Sequence, residues 1–140
     1  MADGSGTKLA ARASNEDGAY MFNMNSSSAS SHTLDMGDSG KVYMLYSTVA
    51  RTITLPAVAA GLKFKFIATD TTADSSIGTS EGTDLLKCGA ECGDAYLDLA
   101  GTTIIVEAAG DIGDYLDFIC DGTYWYVCGH GTHDASFSVT

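Results

Sequence analysis

Gly113-Asp-Tyr-Leu-Asp-Phe-Ile-Cys-Asp-Gly-Thr-Tyr-Trp-Tyr-Val-Cys-Gly129 decides the fold. Two runs rich in aromatic and β-branched residues flank Asp121-Gly122, a dipeptide that supplies the positive φ of a two-residue type I′ turn, so the stretch reads as a β-hairpin. Such a turn sets the register: Cys120 faces Thr123, Ile119 faces Tyr124, Phe118 faces Trp125, Asp117 faces Tyr126, Leu116 faces Val127 and Tyr115 faces Cys128. Side chains alternate along a strand, so Leu116, Phe118, Trp125 and Val127 share one side, which is expected to be the core. The other side carries Tyr115, Ile119, Tyr124, Tyr126 and Cys128 with one acid, Asp117. That side is too apolar to face water alone. It is expected to be covered, by a second layer of the same protomer or by another subunit, and Tyr115, Ile119, Tyr124 and Tyr126 are the candidate oligomer interface.

Upstream, Leu62-Lys-Phe-Lys-Phe-Ile67 alternates cleanly, with Leu62, Phe64 and Phe66 inward and Lys63 and Lys65 outward. Thr52-Ile-Thr-Leu-Pro56 is a short strand stopped by the sole proline, and Ala57 to Ala60 is a tight connection, one helical turn at most, closed by Gly61. In the strand from Lys41, Val42, Met44 and Tyr46 share a face. Tyr20–Met24, His32–Met36, Leu85–Cys88, Ala95–Leu99, Thr103–Glu107 and Ala135–Val139 supply further short strands, while the polar stretch 70–84, with Ile77 its only large apolar residue, reads as a long loop suited to binding. Sixteen glycines and the lack of any helical apolar period agree. The expected fold is all-β: one antiparallel β-sandwich or flattened barrel of about eight to ten short strands over 19–140. Residues 1–18 are small and polar and are expected to form a flexible N-terminal arm that orders on a partner, with Lys8, Leu9 and Arg12 as its contacts.

Eighteen acids against seven bases give a net charge of −11, and the bases are scattered along the chain. Nucleic acid is not an expected partner, because its binders gather Lys and Arg on one face. The start of the chain has no basic, apolar signal pattern and no apolar run of spanning length follows, so synthesis in a cytoplasm and no membrane partner are expected.

Chemistry-bearing residues are sparse. Cys88 and Cys92 with Cys128 and His130 or His133 are the only set that looks like zinc ligands, but the spacing fits no zinc pattern and Cys120 is left over. A local Cys88–Cys92 disulfide is an alternative in an oxidising medium; free thiols acting as small hydrophobes are the simpler expectation. Acids spread through turns lack an EF-hand spacing, and no nucleophile elbow or phosphate loop occurs. The expectation is a protein without catalytic residues, metal or cofactor.

Thr52-Ile-Thr-Leu-Pro-Ala57 followed by Gly61-Leu-Lys-Phe-Lys-Phe-Ile67, together with the hairpin places of Asp121, Gly122, Trp125, Val127 and Gly129, resembles a β-rich module of tailed-phage and other virus structural proteins. The resemblance implies a virion structural protein, either a capsid decoration (cement) protein or a fibre-type domain, commonly trimeric. A short chain with an arm and no shaft repeats is expected to be the former: a homotrimer on the capsid surface that binds the major capsid protein. The rival implied by the same resemblance is a receptor-binding module for a host glycan, which would be favoured by exposed Trp or Tyr beside acids between Asp70 and Glu91. A secreted β-sandwich lectin or enzyme fragment is a further rival, disfavoured by the missing signal.

Overall fold

The computed structural model describes residues 20–23, 30–46, 48–80, 85–92 and 95–140, with backbone alone at 20–23, 92 and 95–99. The expected arm, including Lys8, Leu9 and Arg12, lies outside the described residues. Among these described residues twelve strands follow in order: β1 (Tyr20–Asn23), β2 (Ser31–Thr33), β3 (Lys41–Tyr46), β4 (Arg51–Leu55), β5 (Lys63–Asp70), β6 (Ser75–Thr79), β7 (Leu86–Cys92), β8 (Ala95–Gly101), β9 (Thr103–Val106), β10 (Tyr115–Cys120), β11 (Trp125–Gly131) and β12 (Phe137–Val139). They form a seven-stranded sheet, β1-β3-β5-β10-β11-β7-β8, packed on a five-stranded sheet, β12-β9-β6-β4-β2. No α-helix occurs among the described residues; the tight connection over 57–60 is without a helical turn and closes in a turn at Ala60-Gly61, with Gly61 at φ +88°.

The all-β sandwich is therefore present, but the sheets are mixed, which corrects the antiparallel expectation. From β1 to β6 the chain steps from one sheet to the other at every strand, so β1, β3 and β5 run parallel in the large sheet and β2, β4 and β6 run parallel in the small one. This half is a flattened coil. The rest pairs mostly antiparallel: β7 with β8, β6 with β9, β9 with β12, and the β10–β11 hairpin, inserted between β5 and β7, which makes β10 the central strand of the large sheet.

Burial follows the pleat. Leu62, Phe64 and Phe66 point inward and Lys63 is exposed, as the alternation requires. In β3 the buried pair is Tyr43 and Leu45; the shared face of Val42, Met44 and Tyr46 is the outer, half-buried one, because Tyr43 turns in to stack on Phe66 at 5.4 Å between ring centroids. The stretch 70–84 is not one loop. Ser75–Thr79 forms β6, whose Ile77 lies in register between Ile53 of β4 and Ile104 of β9, all three fully buried. One large apolar residue suffices there because both neighbouring strands supply its partners.

Leu116, Phe118, Trp125 and Val127 are all buried, the first three completely. Trp125 completes a closed ring of aromatic contacts, with Phe118 (6.5 Å), Phe66, Tyr43 and Phe64 (5.8 Å back to Trp125). The hairpin register, however, is displaced by two residues from the expected one: Cys120 pairs with Trp125, Ile119 with Tyr126, Phe118 with Val127, Leu116 with Gly129 and Tyr115 with His130. Asp121 is the cause. Its carboxylate accepts the backbone N–H groups of Thr123 (2.7 Å) and Tyr124 (2.8 Å), and its own N–H donates to the Tyr124 carbonyl (3.2 Å), closing a four-residue loop with Gly122 at φ +100°. A shift of two leaves every side chain on its expected face.

At the end of the sandwich where β10 begins and β11 ends, Asp114 is buried, 3% exposed, and ties two loops together. Its carboxylate accepts from Asp111 N (3.0 Å), Thr132 N (3.0 Å) and Thr132 Oγ1 (3.0 Å). Burial by itself would push its pKa up, but these bonds and one from Ser136 hold it below the usual aspartate value. A depressed pKa stabilises the folded state above the unfolded value near 3.8 and loses that contribution as the pH falls through the folded value. Asp114→Asn is expected to cost about 2 kcal/mol in urea unfolding at neutral pH, by loss of charge-assisted hydrogen bonds, with the gap from wild type narrowing below about pH 4. A gap independent of pH would show that the charge contributes nothing.

Candidate functional site

The outer face of the seven-stranded sheet is the candidate. Register places three rows of side chains across it. The first runs Lys63, Ile119, Tyr126, Lys87; the second Val42, Lys65, Asp117, Cys128, Gly89; the third Met44, Ile67, Tyr115, His130, Glu91. Of the four residues expected at an interface, Ile119 is 55% exposed, Tyr126 47% and Tyr124 37%, while Tyr115 is half-buried. No described residue forms a second layer over them.

Lysines pack against the rings of this face. The Lys65 ammonium lies 4.4 Å from the Tyr115 ring centroid and 3.8 Å from Asp117, and that of Lys87 lies 4.9 Å from the Tyr124 ring centroid. Lys63 makes no side-chain contact of this kind among the described residues. Beside it a groove of about 330 Å³ opens between β3, β5, β10 and β11, walled by Lys41, Lys63, Lys65, Asp117, Ile119 and Cys128. At the hairpin tip Tyr126 donates its phenol O–H to Asp121 (3.1 Å); the bonds from Tyr124 and Thr123 keep the Asp121 carboxyl below its usual range, and Asp121 pushes the Tyr126 phenol up. The tyrosine is thereby held as a neutral donor over the sheet.

The bases are not scattered in space. All four described lysines, Lys41, Lys63, Lys65 and Lys87, stand on this face or at its groove, while Arg51 is buried at 4% exposure with Nε donating to the Tyr46 carbonyl. The alternation of Lys63 and Lys65 already turned them outward; what the linear order hides is that β7 brings Lys87 to the same row. The opposite outer face, on the five-stranded sheet, is different in kind: rows Ser31, Thr52, Ser76, Ile105, Ser138 and Thr33, Thr54, Gly78, Thr103 contain no charge and no aromatic ring.

Comparison of the chain with protein-family models, curated proteins and solved structures finds no match. The reading of the site therefore rests on its own geometry.

The described members of the zinc-like set do not converge. Cys88 points into the core and Cys128 out of the sheet, so they flank opposite faces; His130 sits beside Glu91 (3.8 Å), and His133 beside Asp111 (3.2 Å) in the loop after β11. Cys88, Cys120 and Cys128 are free thiols, and burial pushes Cys88 up to about 11. A Cys88–Cys92 disulfide is ruled out by the strand itself: both belong to β7, and four residues of extended chain span about 13 Å, roughly twice the reach of a disulfide.

Proposed function

We propose that this chain is a virion structural protein, a capsid decoration protein that works by docking and not by catalysis. The observation that carries the reading is the outer face of the large sheet, uncovered by any described residue, where Ile119, Tyr124 and Tyr126 stand exposed on a seven-stranded sheet. Exposed aromatic side chains held by neighbouring lysines and by Asp121 are preorganised anchors, the kind of residue that dominates contact energetics. A protein that binds the assembled shell and not its parts stabilises that shell by mass action. The virion setting comes from the sequence resemblance; the sheet face supports it as the surface through which copies of the protein associate on the shell, so that losing that association weakens uptake.

The host-glycan reading has less to stand on. It would be favoured by exposed Trp or Tyr beside the acids between Asp70 and Glu91; that stretch itself holds no Trp or Tyr, and the sole tryptophan is fully buried.

Capsids lacking the protein, mixed with purified wild type, are expected to take it up saturably and in fixed stoichiometry. The variant Ile119→Ser, Tyr124→Ser, Tyr126→Ser should keep its melting temperature within a few degrees and lose at least about 30-fold in uptake affinity. Binding to host cells with no capsid uptake would remove the proposal.

A further inference from the structure

The charges of the folded chain are separated. While the outer face of the large sheet gathers the described lysines, one end of the sandwich gathers carboxylates: Asp70 at the end of β5, Asp74 before β6, Glu107 after β9, Asp111 before β10 and Asp134 after β11, around the buried Asp114. Backbone contacts confirm that these loops meet. Arg51 N donates to Asp74 O, Ala108 N to Asp74 Oδ1, Glu107 N to Ser136 O, and Gly113 N to Ala68 O. Among the described residues, the only basic side chains at this end are the buried Arg51 and the imidazole of His133.

We propose that the lysine and tyrosine face of one copy receives the acidic end of a second copy, giving a head-to-tail contact. The proposal rests on the docking role assigned to that face and names its occupant. Two arguments select it. The first is area: seven strands about 4.8 Å apart and about 20 Å long offer a footprint of order 600 Å², close to the roughly 800 Å² per partner of a stable interface. The five-stranded sheet, with shorter strands, offers about half of that. The second is charge. A two-fold face-to-face contact would bring Lys63, Lys65 and Lys87 of both copies together, and the local acids are already engaged, Asp117 with Lys65 and Glu91 with His130. The acidic end meets the same face with opposite sign, and every copy of a chain with net charge −11 carries both patches. Different patches in contact make a heterologous interface, which closes into a ring when the rotation permits and otherwise continues as a filament. A ring of three is the closure consistent with the homotrimer that the sequence resemblance implies.

Sedimentation velocity of the full chain tests this. Wild type is expected to form a closed oligomer at low salt that dissociates progressively as salt rises. Lys63→Glu with Lys87→Glu should weaken self-association by at least about 30-fold, and adding Asp111→Lys and Asp134→Lys to that chain, which reverses both patches, should restore it. Matching melting curves for the variants keep the comparison on the contact. Three results would overturn the proposal: a monomer at about 100 μM, well above the Kd of a functional contact; oligomers of the Lys63→Glu, Lys87→Glu variant indistinguishable from wild type; or ready Cys128–Cys128 cross-linking by diamide, the mark of a two-fold face-to-face contact. Capsid uptake by a protein that stays monomeric would overturn the head-to-tail contact and leave the decoration role standing; rings that capsids do not take up would do the reverse.

Discussion

Trp125→Ala is expected to lower unfolding free energy by about 4 kcal/mol, the upper range for aromatic truncation in a core. Trp125 is fully buried and closes the aromatic ring that joins β3, β5, β10 and β11, so its loss leaves a cavity bordered by Phe64 and Phe118 on two strands that cannot both move in. Thermal melting should drop by about 15 °C for a domain of this size. Trp125→Phe isolates one component of this loss. Among the described residues the indole N–H has no hydrogen-bond partner, so phenylalanine gives up volume but also removes a buried unsatisfied donor, and its cost should stay near 1 kcal/mol. Equal losses in the two variants, read by urea unfolding, would show that the cavity is not what the residue guards against.

Gly129→Ala is expected to cost about 3 kcal/mol or more, unusually high for the addition of one methyl group. A β-carbon built at Gly129 would lie 2.1 Å from the Tyr115 carbonyl oxygen and 3.0 Å from the Leu116 α-carbon, both main-chain atoms of the central strand. Neither can rotate away, so β10 and β11 must part where Leu116 pairs with Gly129. Gly61→Ala provides the contrast. Nothing lies within 4 Å of its added carbon, and its cost comes from the left-handed backbone at φ +88° alone, about 1 kcal/mol. If Gly129→Ala melts no lower than Gly61→Ala, the close approach of the two strands is wrong.

The hairpin residues were legible because two different signals agree on them: alternation fixes which face each side chain takes, and Asp121-Gly122 fixes where the chain reverses. The register was not, because it turns on one carboxylate choosing two backbone N–H groups beyond Gly122. Strand direction was also hidden. A two-residue period is the same in parallel and antiparallel pairs, so the coil from β1 to β6 leaves no mark in the apolar pattern. Ser75-Ser-Ile-Gly-Thr79 looks like a loop for a related reason, since the apolar partners that bury Ile77 belong to other strands. On the candidate face, Tyr115, Ile119, Tyr124 and Tyr126 could be grouped by sequence because they share one hairpin. Lys65 and Lys87 could not, because only the pairing of β5 with β10 and of β7 with β11 sets them beside those rings.

Tyrosine accessibility on the outer sheet face tests the docking role most directly. Hydroxyl-radical footprinting read by mass spectrometry should label Tyr124 and Tyr126 readily in dilute, high-salt protein, where both are exposed. In the assembled state the same residues should be strongly protected. Equal labelling of Tyr124 and Tyr126 in both states would contradict the account, for the face would then meet only water.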